Sequence, residues 1–469
     1  MQRSPSLDAL RDAYNALCIP VRAAVGMSDL SPRETIAPPD EPTLVRALGV
    51  RELAANIVNT IVGSGIFVLP AAVAAILGPA AIVAYIICAA LVALFGLCFA
   101  EIGSRVHSSG GAYAYVEAAF GPYVGFTAGL LLGCAEIVAS AAVATIFVGS
   151  LVALLPGGGG AALRTLLLIA LYAALAAVNV RGVQAGARLM ELITAAKLMP
   201  LALLVIAGLF VLHPAYLRWP TLPPLADIGR ASLVLMFAFT GVEGPLTSSG
   251  EVRDPARTVP RALLLGLSAV ALLYAGLQAV SQGVLGPALA TATEAPLGTV
   301  AEHALGGSGR TMILLAAIVS TLGYVSGDML ASPRLFFAFA RDGLLPAKLG
   351  AVHPRFRTPH VAIIAYAALS CAVALSGSFR ALAVLSAVGI LLVDLACCLS
   401  VLELRRRDVH AEGTPFRAPG GPVVPILASG VVVWLLASAR VTEFLAVSAV
   451  LIVSAVRYFL RPRRSSATR

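Results

Sequence analysis

Val62-Gly63-Ser64-Gly65-Ile66-Phe67 interrupts an apolar run that begins near Leu48 and resumes through Val68, Leu69 and Pro70 toward Gly78. Two glycines around a serine, with a proline soon after, are poor helix formers in any solvent. In a bilayer the break costs more, because the freed N–H and C=O groups find no water there. It survives only where it is buried in protein or lines a polar cavity. The second half-helix would start near Gly65 and offer unpaired N–H groups to that cavity, which suits an anion such as a carboxylate. The plainer reading is a glycine kink that lets helices pack closely.

Composition sets the class. Hydrophobic residues make up 59% of the chain and charged ones 12%, against about 25% charged in soluble domains. Apolar runs long enough to span a bilayer recur along the whole length. This is a polytopic, all-α integral membrane protein, and its net charge of +9 reflects loop placement and not nucleic-acid binding. All seven cysteines except Cys18 fall inside apolar runs, with no metal-ligand spacing, and read as packing residues. No metal or cofactor is expected. Residues 1–45 mix Arg, Asp, Pro and Ser without the apolar core of a signal peptide. They read as a mostly disordered cytoplasmic tail, with a short surface helix around Leu7–Cys18 and a second cytoplasmic tail at 461–469.

Twelve spans are expected, at 48–78, 80–102, 122–154, 162–180, 187–212, 230–252, 260–286, 311–340, 358–376, 380–404, 421–438 and 441–460. With the N-terminus inside, only Arg164, Arg218, Arg230, Arg310, Arg380 and Arg440 fall outside, and Lys197 lies within the fifth span. The positive-inside rule then places both termini in the cytoplasm of a plasma (bacterial inner) membrane.

A second break lies five spans after the first, in Met236-Phe237-Ala238-Phe239-Thr240-Gly241-Val242-Glu243-Gly244-Pro245. Two interrupted helices at matching places in two five-span units mark an inverted-repeat transporter, with substrate held between the breaks. The repeats would cover about 46–212 and 226–405, with extra helices at about 420–460.

These stretches resemble the amino acid–polyamine–organocation (APC) superfamily over about residues 46–460. The resemblance rests on Gly63-Ser64-Gly65-Ile66-Phe67, on Phe237-Ala238-Phe239-Thr240-Gly241-Val242-Glu243, and on Glu101 before Ser109-Gly110-Gly111-Ala112-Tyr113. Gly250-Glu251-Val252-Arg253-Asp254-Pro255 and Ala340-Arg341-Asp342-Gly343-Leu344-Leu345-Pro346 add to it. It implies a ten-helix inverted-repeat core plus two helices, moving amino acids or related amines by alternating access. By that resemblance a substrate carboxylate meets Ser64, Gly65 and Ile66. Its ammonium meets carbonyls near Ile61, Phe237, Ala238 and Thr240, and Phe237 lids the site.

Ionisable groups at membrane depth are costly, so each is a functional candidate. Lys197 matches a lysine that stands in for sodium in proton-coupled relatives, and burial disfavours the ammonium form of any lysine. The alternative is a fixed salt bridge. Glu136 matches a glutamate of bacterial relatives of the cationic amino acid transporters. It is expected to pair with Lys197 or to face a cationic side chain, with Ser140 one turn on as a further pocket residue. Glu243 could gate, sense protons or hydrogen-bond unwound backbone. Asp328 departs from the pattern: facing the pocket it argues for a cationic or amine substrate, and facing an inner vestibule it is a solvated charge. Asp394 is left without a role.

The leading function is a proton-coupled amino acid permease acting by alternating access. The alternatives are a permease for ethanolamine or another amine or polyamine, an amino acid exchanger without proton coupling, and, further off, a nutrient sensor. A sensor needs a larger soluble region than these tails offer. An enzyme is not expected, since no nucleophile–base set or phosphate loop stands at usable spacing. Protons, substrate and membrane lipid are the expected partners; oligomeric state is not legible.

Overall fold

The computed structural model describes residues 49–106, 111–155, 160–182, 187–219, 221–241, 255–292, 295–409 and 415–460. Among them there is no strand. The expected tails, with the short helix at Leu7–Cys18, lie outside the described residues.

The chain opens with α1 (Val50–Ile61), whose Glu52 carboxylate accepts the Gly49 N–H at 3.1 Å and so caps the first turn. The helix stops at Val62, and a single 3-10 turn, Gly65–Phe67, follows before α2 (Leu69–Leu77). Pro70 sits in the first turn of α2, where its missing N–H removes no helical bond. Next come α3 (Ile82–Arg105), α4 (Ala112–Phe120), α5 (Pro122–Val152), α6 (Ala161–Arg181) and α7 (Ala187–Leu209). The remaining helices are α8 (Leu225–Phe239), α9 (Pro255–Leu285), α10 (Pro296–Arg341), α11 (His360–Ser376), α12 (Phe379–Arg406), α13 (Val423–Ala437) and α14 (Val441–Phe459).

Among the described residues seven helical segments are long and apolar enough to cross a membrane, and three shorter ones, Ala196–Leu209, His360–Ser376 and Val423–Ala437, are predominantly apolar. The outside of the bundle carries many large apolar side chains. Leu166, Phe210, Leu272 and Leu445 are all more than half exposed, which suits hydrocarbon and not water. Helix α10 begins well before the span expected at 311–340. Its first ten residues form a separate segment, joined end to end through Gly306, whose φ of 74° breaks the helix.

Packing is pairwise and long-range. Helix α5 lies against α12 and α10, α9 against α3 and α1, α8 against α3 and α2, and α7 against α10. One end of the bundle is closed by a buried charge network. The Glu101 carboxylate at the end of α3 accepts from Arg105 at 3.0 and 3.1 Å, from Arg405 of α12, and from the Ala418 N–H at 2.8 Å. Arg105 also donates to the Val409 carbonyl at 3.1 Å. Helices α3 and α12 and the segment before α13 are thereby tied to one carboxylate.

Candidate functional site

The two breaks meet. Gly65 lies so close to Ala238 that a Cβ there would stand 3.2 Å from both the Ala238 Cα and Cβ. At the second break α8 ends at Phe239, Thr240 is extended, and Gly241 takes a φ of 107° against Thr60. A side chain at Gly241 would be strained on two counts, by its dihedral and by that contact. Both glycines thus serve close approach, and both also leave helical groups unmet. The amides of Ser64, Gly65 and Ile66 find no backbone acceptor among the described residues.

Free carbonyls are handled by a residue that the sequence reading missed. Tyr274, fully buried on α9, has its hydroxyl 2.9 Å from the Ile61 carbonyl and 3.1 Å from the Ala238 carbonyl. One hydroxyl therefore bridges the ends of the first half-helix of each break. Its only sequence signal was a tyrosine in an apolar run, 36 residues from Ala238 and 213 from Ile61.

Beside the breaks lies a cavity of about 330 Å³, within the size of small-solute pockets. Asn59, Thr60 and Gly63 line it from the first break, and Thr240 and Gly241 from the second. Glu136 of α5, Lys197 of α7, and Ser320, Tyr324 and Asp328 of α10 complete its polar wall. Four expected site residues, Glu136, Lys197, Thr240 and Asp328, are thus brought to one space. Ile61, Ser64, Gly65, Ile66, Phe237, Ala238 and Ser140 are buried but are not part of its lining. Glu243 lies outside the described residues.

Each polar group in this wall has a definite partner. The Lys197 ammonium donates to the Asn59 carbonyl at 2.6 Å, two residues before α1 ends. The expected Lys197–Glu136 pair is not formed: an unwinding helix end offers a carbonyl, and the ammonium takes it. Glu136 accepts instead from the Tyr324 hydroxyl at 3.2 Å. Asp328 faces the cavity and accepts from Ser332 at 2.5 Å and from Tyr366 of α11 at 2.7 Å. Ser140 accepts from Tyr172 at 3.3 Å. The Gly63 carbonyl takes the Ser320 hydroxyl at 3.2 Å, and the Thr240 hydroxyl turns back to the Phe237 carbonyl at 3.0 Å.

Phe237 does not line this cavity. Its ring packs edge-to-face on Phe379 at the start of α12, with centroids 5.8 Å apart. A separate space of about 510 Å³ lies on the Phe379 side, lined by Thr145, Arg164, Thr165 and Ser378 among others. Among the described residues no group of His, Cys, Asp and Glu is placed to hold a metal ion.

The cavity wall thus sets two carboxylates, Glu136 and Asp328, beside one ammonium, Lys197, while the Ser64, Gly65 and Ile66 amides lie outside its lining.

Comparison with known proteins shows the family of the chain. Residues 48–460 match the model of a family described as amino acid permease. The chain is 30% identical to a serine/threonine exchanger of Bacillus subtilis (strain 168), over 90% of this chain and 98% of that one. A methylthioribose transporter of the same organism is 27% identical over 93% and 97%. A branched-chain amino acid permease, again from Bacillus subtilis, is 26% identical over 91% and 95%.

Proposed function

The chain belongs to the amino acid permease family of the APC superfamily, and we propose that it is a secondary active transporter moving amino acids across the plasma membrane by alternating access, coupled to protons. The observation that carries this is the cavity between two helix breaks, with Lys197 tied to the carbonyl of Asn59 at the end of α1. A charged ammonium makes a strong bond to that carbonyl. Loss of its proton removes most of that attraction and releases the half-helix. Protonation and the position of α1 are linked in this way, and substrate bound at the same break feels both.

A twelve-span topology with two inverted five-span repeats is part of this reading. Its support is the symmetry of the packing: α1 on α9 answers α8 on α3, and α7 on α10 answers α12 on α5. Cytoplasmic termini follow from the one-sided distribution of arginine. The similarity to a serine/threonine exchanger keeps exchange without proton movement as the alternative coupling mode.

A second reading of the substrate is favoured by one observation. Glu136 and Asp328 both line the cavity, Glu136 accepting from the Tyr324 hydroxyl and Asp328 from those of Ser332 and Tyr366. With Lys197 as the cavity's one lysine, the wall carries an excess negative charge that a zwitterion does not balance. An amino acid with a cationic side chain, or an amine, does.

The test is uptake of radiolabelled amino acids into proteoliposomes, with and without an inward proton gradient, for the wild type and Lys197→Ala. Accumulation that follows the gradient and vanishes in the variant, while substrate binding persists, is the expected result. Equal uptake without a gradient, unchanged by the substitution, would leave an exchanger or uniporter in which Lys197 only holds helices together.

A further inference from the structure

The end of the bundle away from Arg405 carries a second cavity, which the transport reading does not use. It measures about 410 Å³ and lies between the starts of α12 and α14, with α8 at its side. Three arginines line it, Arg230, Arg380 and Arg440, against one acid, Glu443.

Arg230 and Glu443 satisfy each other. Arg230 holds both carboxylate oxygens, at 3.1 and 3.2 Å, and the Ser438 carbonyl at 3.2 Å. Glu443 also accepts the backbone N–H of Arg440 at 2.7 Å. That leaves the guanidinium groups of Arg380 and Arg440, both exposed and with no side-chain partner among the described residues. The charges acting on Arg380 are Arg230 and Arg440, which are cations themselves.

Position adds to the imbalance. Arg380 lies in the first turn of α12, a helix of 28 residues, and Arg440 immediately precedes α14, one of 19 residues. Helix N-termini carry positive partial charge, so both cations stand where the backbone is already positive. One carboxylate does not neutralise three guanidinium groups and two helix ends. The rest of the cavity is of another character: Val384, Leu385 and Ala446 form an apolar floor running along α12 and α14. Beside it α14 exposes Leu445, Ile452 and Val453, the surface of a helix that faces hydrocarbon.

We propose that this cavity binds a phosphate-bearing anion, the headgroup of an anionic membrane lipid. The phosphate lies between Arg380 and Arg440, and the glycerol and first methylenes lie on Val384, Leu385 and Ala446. A free phosphate shares the chemistry of the mouth but leaves the apolar floor uncovered. Because Arg230 ties α8 to α14 through Glu443, an occupant bridging Arg380 and Arg440 fastens α12 to the same assembly. It thereby sets how firmly the half-helix leading to the second break is held.

The test compares the full-length wild type with Arg380→Gln/Arg440→Gln, two exposed and unpartnered positions whose change leaves the packing intact. Arg218→Gln serves as a control for loss of an arginine elsewhere. Each is placed in phosphatidylcholine nanodiscs with or without phosphatidylglycerol, and retained lipid is counted by native mass spectrometry alongside the thermal unfolding midpoint. Phosphatidylglycerol should be retained by the wild type and the control and should raise their midpoints. In the double variant retention should fall by roughly fivefold per arginine removed. Inorganic phosphate, added in detergent without lipid, should give no comparable rise. If phosphate alone reproduces the full effect, the lipid assignment is overturned in favour of a soluble anion. Retention and midpoint equal in wild type and double variant overturn the site itself.

Discussion

Glu101 and Asp328 are both carboxylates buried among membrane helices, and the chain treats them in opposite ways. Glu101, with no exposed surface, is closed in by two guanidinium groups and a backbone amide. Asp328, 8% exposed, is met by the hydroxyls of Ser332 and Tyr366, and it opens on the cavity. Hydroxyl donors orient a carboxylate without cancelling its charge. The first setting uses its charge up in holding α3 and α12 together, and the second keeps its charge available. A buried charge with full cationic neutralisation is architecture. One held by neutral donors at a cavity wall is, on the proposed transport reading, where a cationic group of the substrate would sit.

The comparison can be broken at several points. Glu101→Ala strands Arg105 and the partly buried Arg405, and loss of one member of a buried ion network costs about 3–5 kcal/mol. Chemical unfolding in detergent should show that loss, or no folded protein at all, and wild-type stability would erase the distinction. Tyr274→Phe leaves the Ile61 and Ala238 carbonyls without their shared donor, at about 1–3 kcal/mol. It should also weaken substrate binding, since the ends of both half-helices lose their common anchor; isothermal titration would register the weaker binding and chemical unfolding in detergent the stability loss. Tyr366→Phe removes one of two neutral donors from Asp328 and should cost about 1 kcal/mol in the same unfolding assay. Asp328→Asn should change stability least, by less than about 1 kcal/mol, because nothing cationic is stranded. Its effect belongs in competition uptake, where cationic substrates should lose affinity by about ten- to a hundredfold and neutral ones should not, one charge-assisted hydrogen bond being worth about 1.5–3 kcal/mol. Equal loss for both classes would remove the case for a cationic substrate.

Much of the fold was legible because the bilayer leaves few options. Glycine and proline within apolar runs betray breaks, and Lys197, Glu136 and Asp328 stand out where ionisable groups are rare. All three do line one cavity. Their partners were less legible. Lys197 and Glu136 invited pairing as opposite charges, yet Lys197 bonds to the Asn59 carbonyl. Every residue carries a carbonyl, so no residue type advertises an acceptor that becomes free only where a helix unwinds. Tyr274 was invisible for the same reason, its role being defined by two carbonyls from distant segments. Asp328 was recognised as odd but not placed, since the face it occupies depends on how α10 rotates against α5 and α11.

The Tyr274 hydroxyl owns a single hydrogen and stands within reach of two oxygens. At any instant it serves one of them, and the other keeps an idle lone pair. The join between the two broken helices is thus a swivel and not a rivet. Either partner can swing away while the hydrogen stays employed by the one that remains, so separation never has to begin by sacrificing a bond.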